Sequence, residues 1–236
     1  MAEADRRAEL ADNLARVRAR IGAATAAAGR DDEPQLIVVT KFHPASDVRL
    51  LAGLGVTDVG ENRDQEASAK TAELEGLPLT WHFIGQLQTN KAKSVVRYAD
   101  AVHSVDRRAL VSALGKAVAS AERERDLACL VQVNLDPEAA SGRGGVLPSE
   151  VLALAGLIAD TPGLTMSGVM AVAPRGGDPA EAFARLASAS ARVTERFPGA
   201  TMVSAGMSQD LEQAVAAGAT HLRIGTDVLG ARRTVR

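Results

Sequence analysis

The chain has 236 residues, of which 46% are hydrophobic and 3% are aromatic, and its formal net charge is -2. This length suits one large α/β domain or two small ones, and the small net charge excludes the strongly basic surface typical of nucleic-acid-binding proteins. No apolar run approaches the roughly 20 residues of a membrane helix, the N-terminus lacks the apolar centre of a signal peptide, and a single cysteine excludes an internal disulfide. We therefore expect a cytoplasmic protein without a nucleic-acid or membrane partner.

Apolar residues at helical spacing open the chain. Leu10, Leu14, Val17 and Ile21 lie four, three and four residues apart, which predicts a helix over residues 3–28 that ends near Gly29. Short apolar runs then alternate with helical segments, and the predicted strands are 36–39, 57–59, 79–84, 101–105, 127–133, one within 164–172, 201–204 and 221–224.

Helices are expected between these strands. The predicted starts carry residues that favour helix N-termini: Ser46 and Asp106 as N-caps, Pro148 in a first turn, Pro179 for a long helix, and Ser208 as a further N-cap. The helix that begins at Ser208 is expected to end before Gly218.

Eight strand–helix units in this length predict a (β/α)₈ TIM barrel. The alternative is a doubly wound open sheet, which usually has fewer strands, and no strand here leads into a GxGxxG turn. On this prediction residues 1–236 form one barrel domain. Residues 1–30 carry a helix that precedes the first strand and lies outside the barrel or across its bottom.

The first predicted strand ends with a lysine. Lys41 follows the buried run 36–39 and Thr40, which places its amine at the end of the barrel where active sites are built. Partial burial lowers the pKa of a lysine and makes it a nucleophile toward aldehydes. A solvated lysine in a loop is the alternative, and Lys41 alone would not exclude it.

The loops after the seventh and eighth strands predict an anion site. Glycines and hydroxyl side chains occur in both, in 204–208 and in 225–226, and the loops after these two strands commonly bind phosphate in such barrels. The predicted donors include Ser208 and Thr226. Because the eighth strand closes against the first, this anion site should lie near Lys41.

A lysine, an aldehyde and a phosphate together suggest pyridoxal 5′-phosphate. Arg223, at the end of the eighth strand, could face the pyridine nitrogen and keep it unprotonated, which would weaken the ring as an electron sink. A salt bridge to Asp227 is the alternative role for Arg223.

The motifs of the chain resemble those of a known family. They are VTKFHP around Lys41, GEN at 60–62, WHFIGQLQTNK at 81–91, HSVD at 103–106, VQVN at 131–134, GVMA at 168–171, SAGMSQD at 204–210 and RIGTDVLGAR at 223–232. In this order they resemble the pyridoxal-phosphate homeostasis proteins of the YggS and PROSC type. The fold of that family is the N-terminal barrel of alanine racemase, a fold-type III pyridoxal-phosphate-binding barrel.

The resemblance implies roles for individual residues. It implies that Lys41 forms a covalent aldimine with pyridoxal 5′-phosphate, that Asn62 lies beside the cofactor and that Arg223 faces the ring nitrogen. The phosphate would contact the remaining site residues, which are Met207, Ser208, Gly225 and Thr226. The family usually reads GTAIFG where this chain has residues 225–230, so Asp227 replaces a small apolar residue close to the phosphate.

Other polar residues have simpler interpretations. His82 and His103 could move protons, but hydrogen-bonded strand histidines are the more common case, and no histidine pair has metal-ligand spacing. Glu61 should point away from the ligand if Asn62 faces it. Arg143 could recruit an anion, although a solvated loop charge is the simpler interpretation. The role of the polar loop 86–91 cannot be derived from its chemistry.

Fold-type III enzymes carry a second domain and a catalytic tyrosine or cysteine. The chain offers only Tyr98, predicted on a helix, and Cys129, predicted inside the fifth strand. We therefore expect a non-catalytic monomer that carries and buffers pyridoxal 5′-phosphate in cellular vitamin B6 and amino-acid homeostasis, with cofactor-dependent apoenzymes as conceivable recipients. A weak racemase that uses Lys41 as acid and base, and a Schiff-base aldolase acting on a phosphosugar, remain as alternatives.

Overall fold

The computed structural model describes residues 3–136 and 144–230. Eight parallel strands pair in chain order and close into a barrel, as the strand pattern predicts. They are β1 Gln35–Val39, β2 Asp58–Glu61, β3 Thr80–Phe83, β4 Ala101–Val105, β5 Leu127–Gln132, β6 Leu164–Met170, β7 Met202–Ser204 and β8 His221–Ile224. The doubly wound alternative is therefore wrong.

Helices connect the strands around the outside of the barrel. They are α1 Glu3–Ala27, α2 Ala45–Ala52, α3 Asp64–Glu73, α4 Ala92–Val95 after a 3₁₀ turn at Thr89–Lys91, α5 Arg108–Ala119, α6 Val151–Ala159, α7 Pro179–Arg196, α8 Leu211–Ala216 and α9 Thr226–Leu229. No helix in the described part of the chain is long and apolar enough to cross a membrane.

The main hydrophobic core lies between the barrel and the helices. Val38 of β1 and Ile224 of β8 belong to it. Because successive strand residues face opposite sides, their neighbours Ile37 and Arg223 face the barrel interior. Ile37 is fully buried there. The interior therefore combines apolar side chains with polar ones that need hydrogen-bond partners.

The pairing of β1 with β8 brings the first and last strands together. Gln35 is opposite His221 and Val38 is opposite Ile224. Since the strands are parallel, their C-terminal ends open on the same end of the barrel. The segment after β1, which carries Lys41, therefore lies beside the segment after β8.

Helix α1 packs on the outside, against α8 and α9, and not across the bottom of the barrel. Buried Arg6 donates to both carboxylate oxygens of Asp47 in α2, at 3.2 and 2.7 Å, and to the Leu229 carbonyl at 3.0 Å. Asn13 donates to the Val228 carbonyl at 2.9 Å. The first helix is therefore fixed to the short helix that follows the last strand.

The predicted N-caps are wrong at three helices. Helix α2 follows Pro44, α5 follows Arg107 and α8 follows Asp210, and no side chain caps any of the three. The candidate Asp106 instead accepts from Arg107 at 2.5 Å. Helix α7 is capped as its sequence allows, since Asp178 accepts from the Ala180 amide. For Asp106, pairing with its neighbour Arg107 explains why a residue type that favours capping does not cap the helix.

Substitution of Arg6 should destabilise the fold. Arg6→Met would leave the Asp47 carboxylate buried without its main cation, and breaking a buried pair in this way costs about 3 kcal/mol. Arg7→Met is the matched control, because Arg7 makes only an exposed 3.5 Å contact to the Gly53 carbonyl. Urea unfolding should show a large loss for Arg6→Met and little change for the control. Equal losses of the free energy of unfolding in the two variants would contradict the role of Arg6 in fixing α1 to α2 and α9.

Partial burial at the start of β8 makes stability depend on pH. Burial, with smaller effects from neighbouring charges, lowers the pKa of His221 to about 4. The unfolded chain, with a histidine pKa of about 6.5, then binds the proton more readily than the folded protein. The contribution of neutral His221 to the free energy of unfolding is therefore complete above pH 6.5 and is lost as the pH falls toward 4.

His221→Gln should remove this dependence, because glutamine keeps a hydrogen-bonding side chain without a titrating group. Between pH 7.5 and 5 the free energy of unfolding of the unsubstituted protein should fall by about 2 kcal/mol more than that of the variant. Urea melts at both pH values measure the difference. Parallel losses in the two proteins would refute the assignment.

Candidate functional site

A cavity of about 1040 Å³ opens among the loops that follow the strands. All seven residues proposed from the sequence as cofactor ligands line it: Lys41, Asn62, Met207, Ser208, Arg223, Gly225 and Thr226. Those seven come from four different strand ends, so only the closed barrel brings them together. The cavity is also lined by residues that the sequence did not propose as ligands, among them Gln132 at the end of β5, Asn134 after β5 and Arg175 after β6.

A network beneath the backbone holds the segment that carries Lys41. Lys70 of α3 donates to the Thr40 carbonyl at 2.7 Å, and the Phe42 amide donates to the Glu66 carboxylate. Phe42 has φ 67°, a left-handed conformation that bulky residues rarely adopt and that costs free energy. Bonds on both sides of Lys41 therefore fix the direction in which its side chain leaves the strand.

Glu61 completes this network and points away from the cavity, as alternation along the strand predicts. Its Oε1 accepts from the Lys70 ammonium at 2.6 Å and from the Thr40 hydroxyl at 2.7 Å. Burial raises the pKa of Glu61, and the neighbouring Lys70 opposes that rise. Glu61 is therefore part of the support for the Lys41 segment and is not a base within the cavity.

Asn62 lines the cavity with an unsatisfied polar atom. Its Oδ1 is buried and has no hydrogen-bond partner. Gly85, after β3, lies against the backbone of Asn62 so closely that a Cβ at that position would be 2.2 Å from the Asn62 carbonyl oxygen. A buried acceptor without a partner is costly.

The loops after β7 and β8 form one wall of the cavity. Gly206 has φ 88°, and a Cβ there would contact Leu222 at 2.7 Å, so the turn before Met207 requires glycine. Gly225 lies against β1, where an added Cβ would be 3.1 Å from the Val39 carbonyl. Beside it, Ser208 and Thr226 line the cavity with hydroxyl side chains. Such a wall suits an anion.

Asp227 is held away from this wall by α1. Arg20 donates to the Ser208 carbonyl at 2.7 Å and to the Asp227 carboxylate at 3.2 Å, and it also pairs with Glu212. Asp227 is not among the residues that line the cavity. Its negative charge, which the sequence placed close to the expected phosphate, is therefore paired with an arginine from the first helix.

Arg223 lies at the floor of the cavity and is 4% exposed. It donates to the Ser204 hydroxyl at 2.6 Å and to the Ala171 carbonyl at 2.8 Å. Asp227 is not its partner. Burial lowers the pKa of Arg223 to about 10, and the nearby Asp210 carboxylate partly offsets that effect. The guanidinium stays protonated at neutral pH and presents a fixed positive charge to the cavity.

The two strand histidines are hydrogen-bonded inside the barrel. His82 Nδ1 is 2.9 Å from His103 Nε2, and His103 Nδ1 is 2.9 Å from the Ser204 hydroxyl. Burial and the neighbouring cations hold the pKa of His103 well below its usual value, so it is neutral. Neither histidine lines the cavity. In the described part of the chain, no group of three or more histidine, cysteine, aspartate or glutamate side chains is arranged to hold a metal.

The two candidate acid/base residues lie elsewhere. Tyr98 follows α4 and donates to Asp64 at 3.5 Å, and burial raises the pKa of its hydroxyl. Cys129 is buried within β5, where burial raises the pKa of the thiol to about 12. Lys91 of the 86–91 loop lies 3.6 Å from Asp64 and outside the cavity. Arg143 is outside the described residues.

Sequence reasoning missed the residues that support the site. Lys70 is the clearest case, because its i,i+4 pairing with Glu66 on α3 was visible in the sequence as an ordinary surface pair. Its contact with Thr40, 30 residues away, was not visible. The same applies to Ser204, which was read as one residue of an anion loop and in fact lies under Arg223.

The chemistry of the cavity fits pyridoxal 5′-phosphate. A primary amine, a glycine and hydroxyl wall for an anion, and a buried cation all face one space, and the unsatisfied Asn62 Oδ1 lies among them. The amine matches an aldehyde, the wall matches a phosphate, and the buried cation matches a ring nitrogen.

Known proteins share this sequence and fold. The family model for the alanine racemase N-terminal domain matches residues 8–233. A pyridoxal phosphate homeostasis protein of Mycobacterium tuberculosis is 45% identical over 97% of this chain and 95% of its own. The structure of PipY from Synechococcus elongatus with PLP bound is 36% identical, with a TM-score of 0.79, over 94% of this chain and 100% of that one.

A more distant structure agrees in fold alone. Alanine racemase from Streptomyces coelicolor is 19% identical and has a TM-score of 0.75; the match covers 94% of this chain and 58% of the racemase. The resemblance noted in the sequence motifs is thus confirmed by whole-chain similarity. The chain belongs to the alanine racemase N-terminal-domain family and, within it, to the pyridoxal phosphate homeostasis proteins.

Proposed function

We propose that this protein binds pyridoxal 5′-phosphate covalently through the Lys41 amine and carries or buffers it for vitamin B6 and amino-acid homeostasis. The observation that carries the proposal is that Lys41, Arg223 and the Gly225–Thr226 wall line one cavity. The names of the relatives, and the PLP bound by PipY at 36% identity, support the same ligand.

Each side chain has a defined task in this proposal. Lys41 supplies the amine that condenses with the ligand aldehyde, with loss of one water. Asn62 accepts a hydrogen bond beside the ring. The phosphate is held by the wall formed by Met207, Ser208, Gly225 and Thr226. Bound there, the ligand would supply an electrophilic carbonyl and a conjugated ring.

Arg223 limits the reactivity of that ring. A guanidinium that donates to the ring nitrogen keeps this nitrogen unprotonated, because the arginine does not give up its proton at neutral pH. An unprotonated ring withdraws electrons less strongly, so the bound ligand is less able to stabilise a carbanion. This property suits storage better than catalysis.

The cavity lacks a second acid/base group of the racemase kind. Among the described residues that line it there is no tyrosine, cysteine, histidine or glutamate; its carboxylates are those of Asp136 and Asp210, and that of Asp210 accepts from the Met207 amide at 2.6 Å. A volume of about 1040 Å³ also exceeds the space that a ligand of this size fills, so water and amines have access. We therefore propose a non-catalytic carrier.

The setting of the protein is also part of the proposal. We propose one barrel domain over residues 1–236, a monomer located in the cytoplasm, and pyridoxal-phosphate-dependent apoenzymes as the recipients of the ligand. Transfer of the ligand from this protein to a recipient is reversible, because a lysine amine of the recipient can displace the Lys41 amine from the aldehyde carbon and Lys41 can displace it in turn.

Removal of the Lys41 amine should abolish the covalent linkage. The purified protein incubated with pyridoxal 5′-phosphate should be yellow, with an absorption band in the violet to near-ultraviolet, and borohydride should fix the ligand on one peptide. Lys41→Ala should lose both the band and the labelled peptide. The matched control Lys93→Ala, at an exposed position on α4, should keep both. A Lys41→Ala protein with the same band at full occupancy would refute the role of Lys41.

The loaded protein should not interconvert amino-acid enantiomers. Prolonged incubation with L-alanine, followed by chiral chromatography, should give no more D-alanine than free pyridoxal 5′-phosphate at the same concentration, because the described residues of the cavity lining include no tyrosine or cysteine to act opposite Lys41. D-Alanine that accumulates with the unsubstituted protein but not with Lys41→Ala would identify a racemase and overturn the carrier proposal.

A further inference from the structure

A continuous hydrogen-bond chain crosses the barrel interior from its lower end to the cavity. Asp58, the first residue of β2, lies 2.8 Å from His82 Nε2. His82 Nδ1 contacts His103 Nε2 at 2.9 Å, and His103 Nδ1 contacts the Ser204 hydroxyl at 2.9 Å. The chain ends where Arg223 donates to that hydroxyl at 2.6 Å. We call these five residues the Asp58–Arg223 chain.

With both histidines neutral, the two ends of this chain fix the direction of every hydrogen bond in it. Arg223 can only donate, and Asp58 is an acceptor because hydrogen bonds from His82, Thr57 and Gln35 hold its pKa below the usual value despite partial burial. His82 must then carry its proton on Nε2 and accept at Nδ1. His103 likewise carries its proton on Nε2 and accepts at Nδ1 from the Ser204 hydroxyl.

This direction matters for the buried guanidinium. A buried cation needs compensation; the nearby Asp210 carboxylate supplies part of it, and the two groups that accept from Arg223 are a neutral hydroxyl and a neutral carbonyl. Hydrogen bonds that all point the same way polarise one another, and the chain terminates on a carboxylate. The Asp58 charge therefore makes the Ser204 oxygen a stronger acceptor for Arg223, although Asp58 lies outside the cavity.

We propose that Asp58, His82, His103 and Ser204 are positioning residues that orient and compensate Arg223, so that a carboxylate at the lower end of the barrel tunes ligand binding at the upper end. The ligand readout rests on the proposed function, because the probe is pyridoxal 5′-phosphate. The chain itself is a property of the ligand-free protein and can be tested without any ligand.

The first test measures the histidine tautomers directly. Nitrogen-15 NMR of the ligand-free protein at pH 8, with assignments from His82→Gln and His103→Gln, should show both histidines neutral and protonated on Nε2 alone. A proton on Nδ1 of either residue would reverse the direction of the chain and overturn the proposal. This result does not depend on whether the protein binds pyridoxal 5′-phosphate.

The second test measures coupling across the barrel. Asp58→Asn keeps an acceptor for His82 and removes the charge, and we expect pyridoxal 5′-phosphate to bind roughly 3- to 10-fold more weakly, the effect of about one hydrogen bond. Asp58→Glu should recover most of the affinity. Asp126→Asn is the matched control, because Asp126 precedes β5 at the same end of the barrel, is exposed and is outside the chain.

The outcomes separate the two proposals. If Asp58→Asn and Asp126→Asn bind the ligand equally well, the coupling is absent and the inference is wrong, whatever the function of the cavity. If Asp58→Asn is weaker but Asp58→Glu does not recover affinity, the effect is structural and the inference is again wrong. If the unsubstituted protein does not bind the ligand, the proposed function fails, and the NMR measurement alone decides the chain. Thermal melts establish that each variant is folded.

Discussion

The closure of β1 against β8 is the constraint on which the site depends. The paired residues are 186 positions apart in the sequence, and the pairing of Gln35 with His221 places them on neighbouring strands. Lys41 then shares a cavity with Arg223 and the Gly225–Thr226 wall. In an open sheet those groups would lie at opposite edges. The amine and the anion wall therefore act together only because the sheet is a cylinder.

The same closure buries polar groups, and two hydrogen-bond networks give several of them partners. Under the Lys41 segment, Lys70 bridges Glu61, Glu66 and the Thr40 carbonyl. Across the interior, the Asp58–Arg223 chain leaves no histidine nitrogen unpaired at His82 or His103. The first network flanks Lys41 and the second ends at Arg223, and both of these residues line the cavity. Rigid support of this kind fixes the direction of a side chain, which is what a site built from separate strands requires.

Periodicity and composition were enough to predict the eight strands, since buried parallel strands are short continuous apolar runs. The sequence also predicted seven residues that line one cavity, because barrel sites lie at strand ends and the family motifs are local in sequence. The starts of α2 and α8 were mispredicted because neither helix has a side-chain cap, so residue types that favour capping did not mark them. The partners of Lys70 and Ser204 were unpredictable for a different reason: each bond joins distant strands or helices, and its geometry exists only after closure.

Helix α1 gives the ligand wall an unusual dependence on the beginning of the chain. Asn13 and Arg6 bind carbonyls of α9 that lie 215 and 223 residues further along. As the polypeptide leaves the ribosome, α1 is therefore exposed with its buried face uncovered until β8 and α9 have been made. Competence to hold the vitamin must arise late and all at once, when the final turn docks, so a ribosome-bound fragment should not sequester the reactive aldehyde.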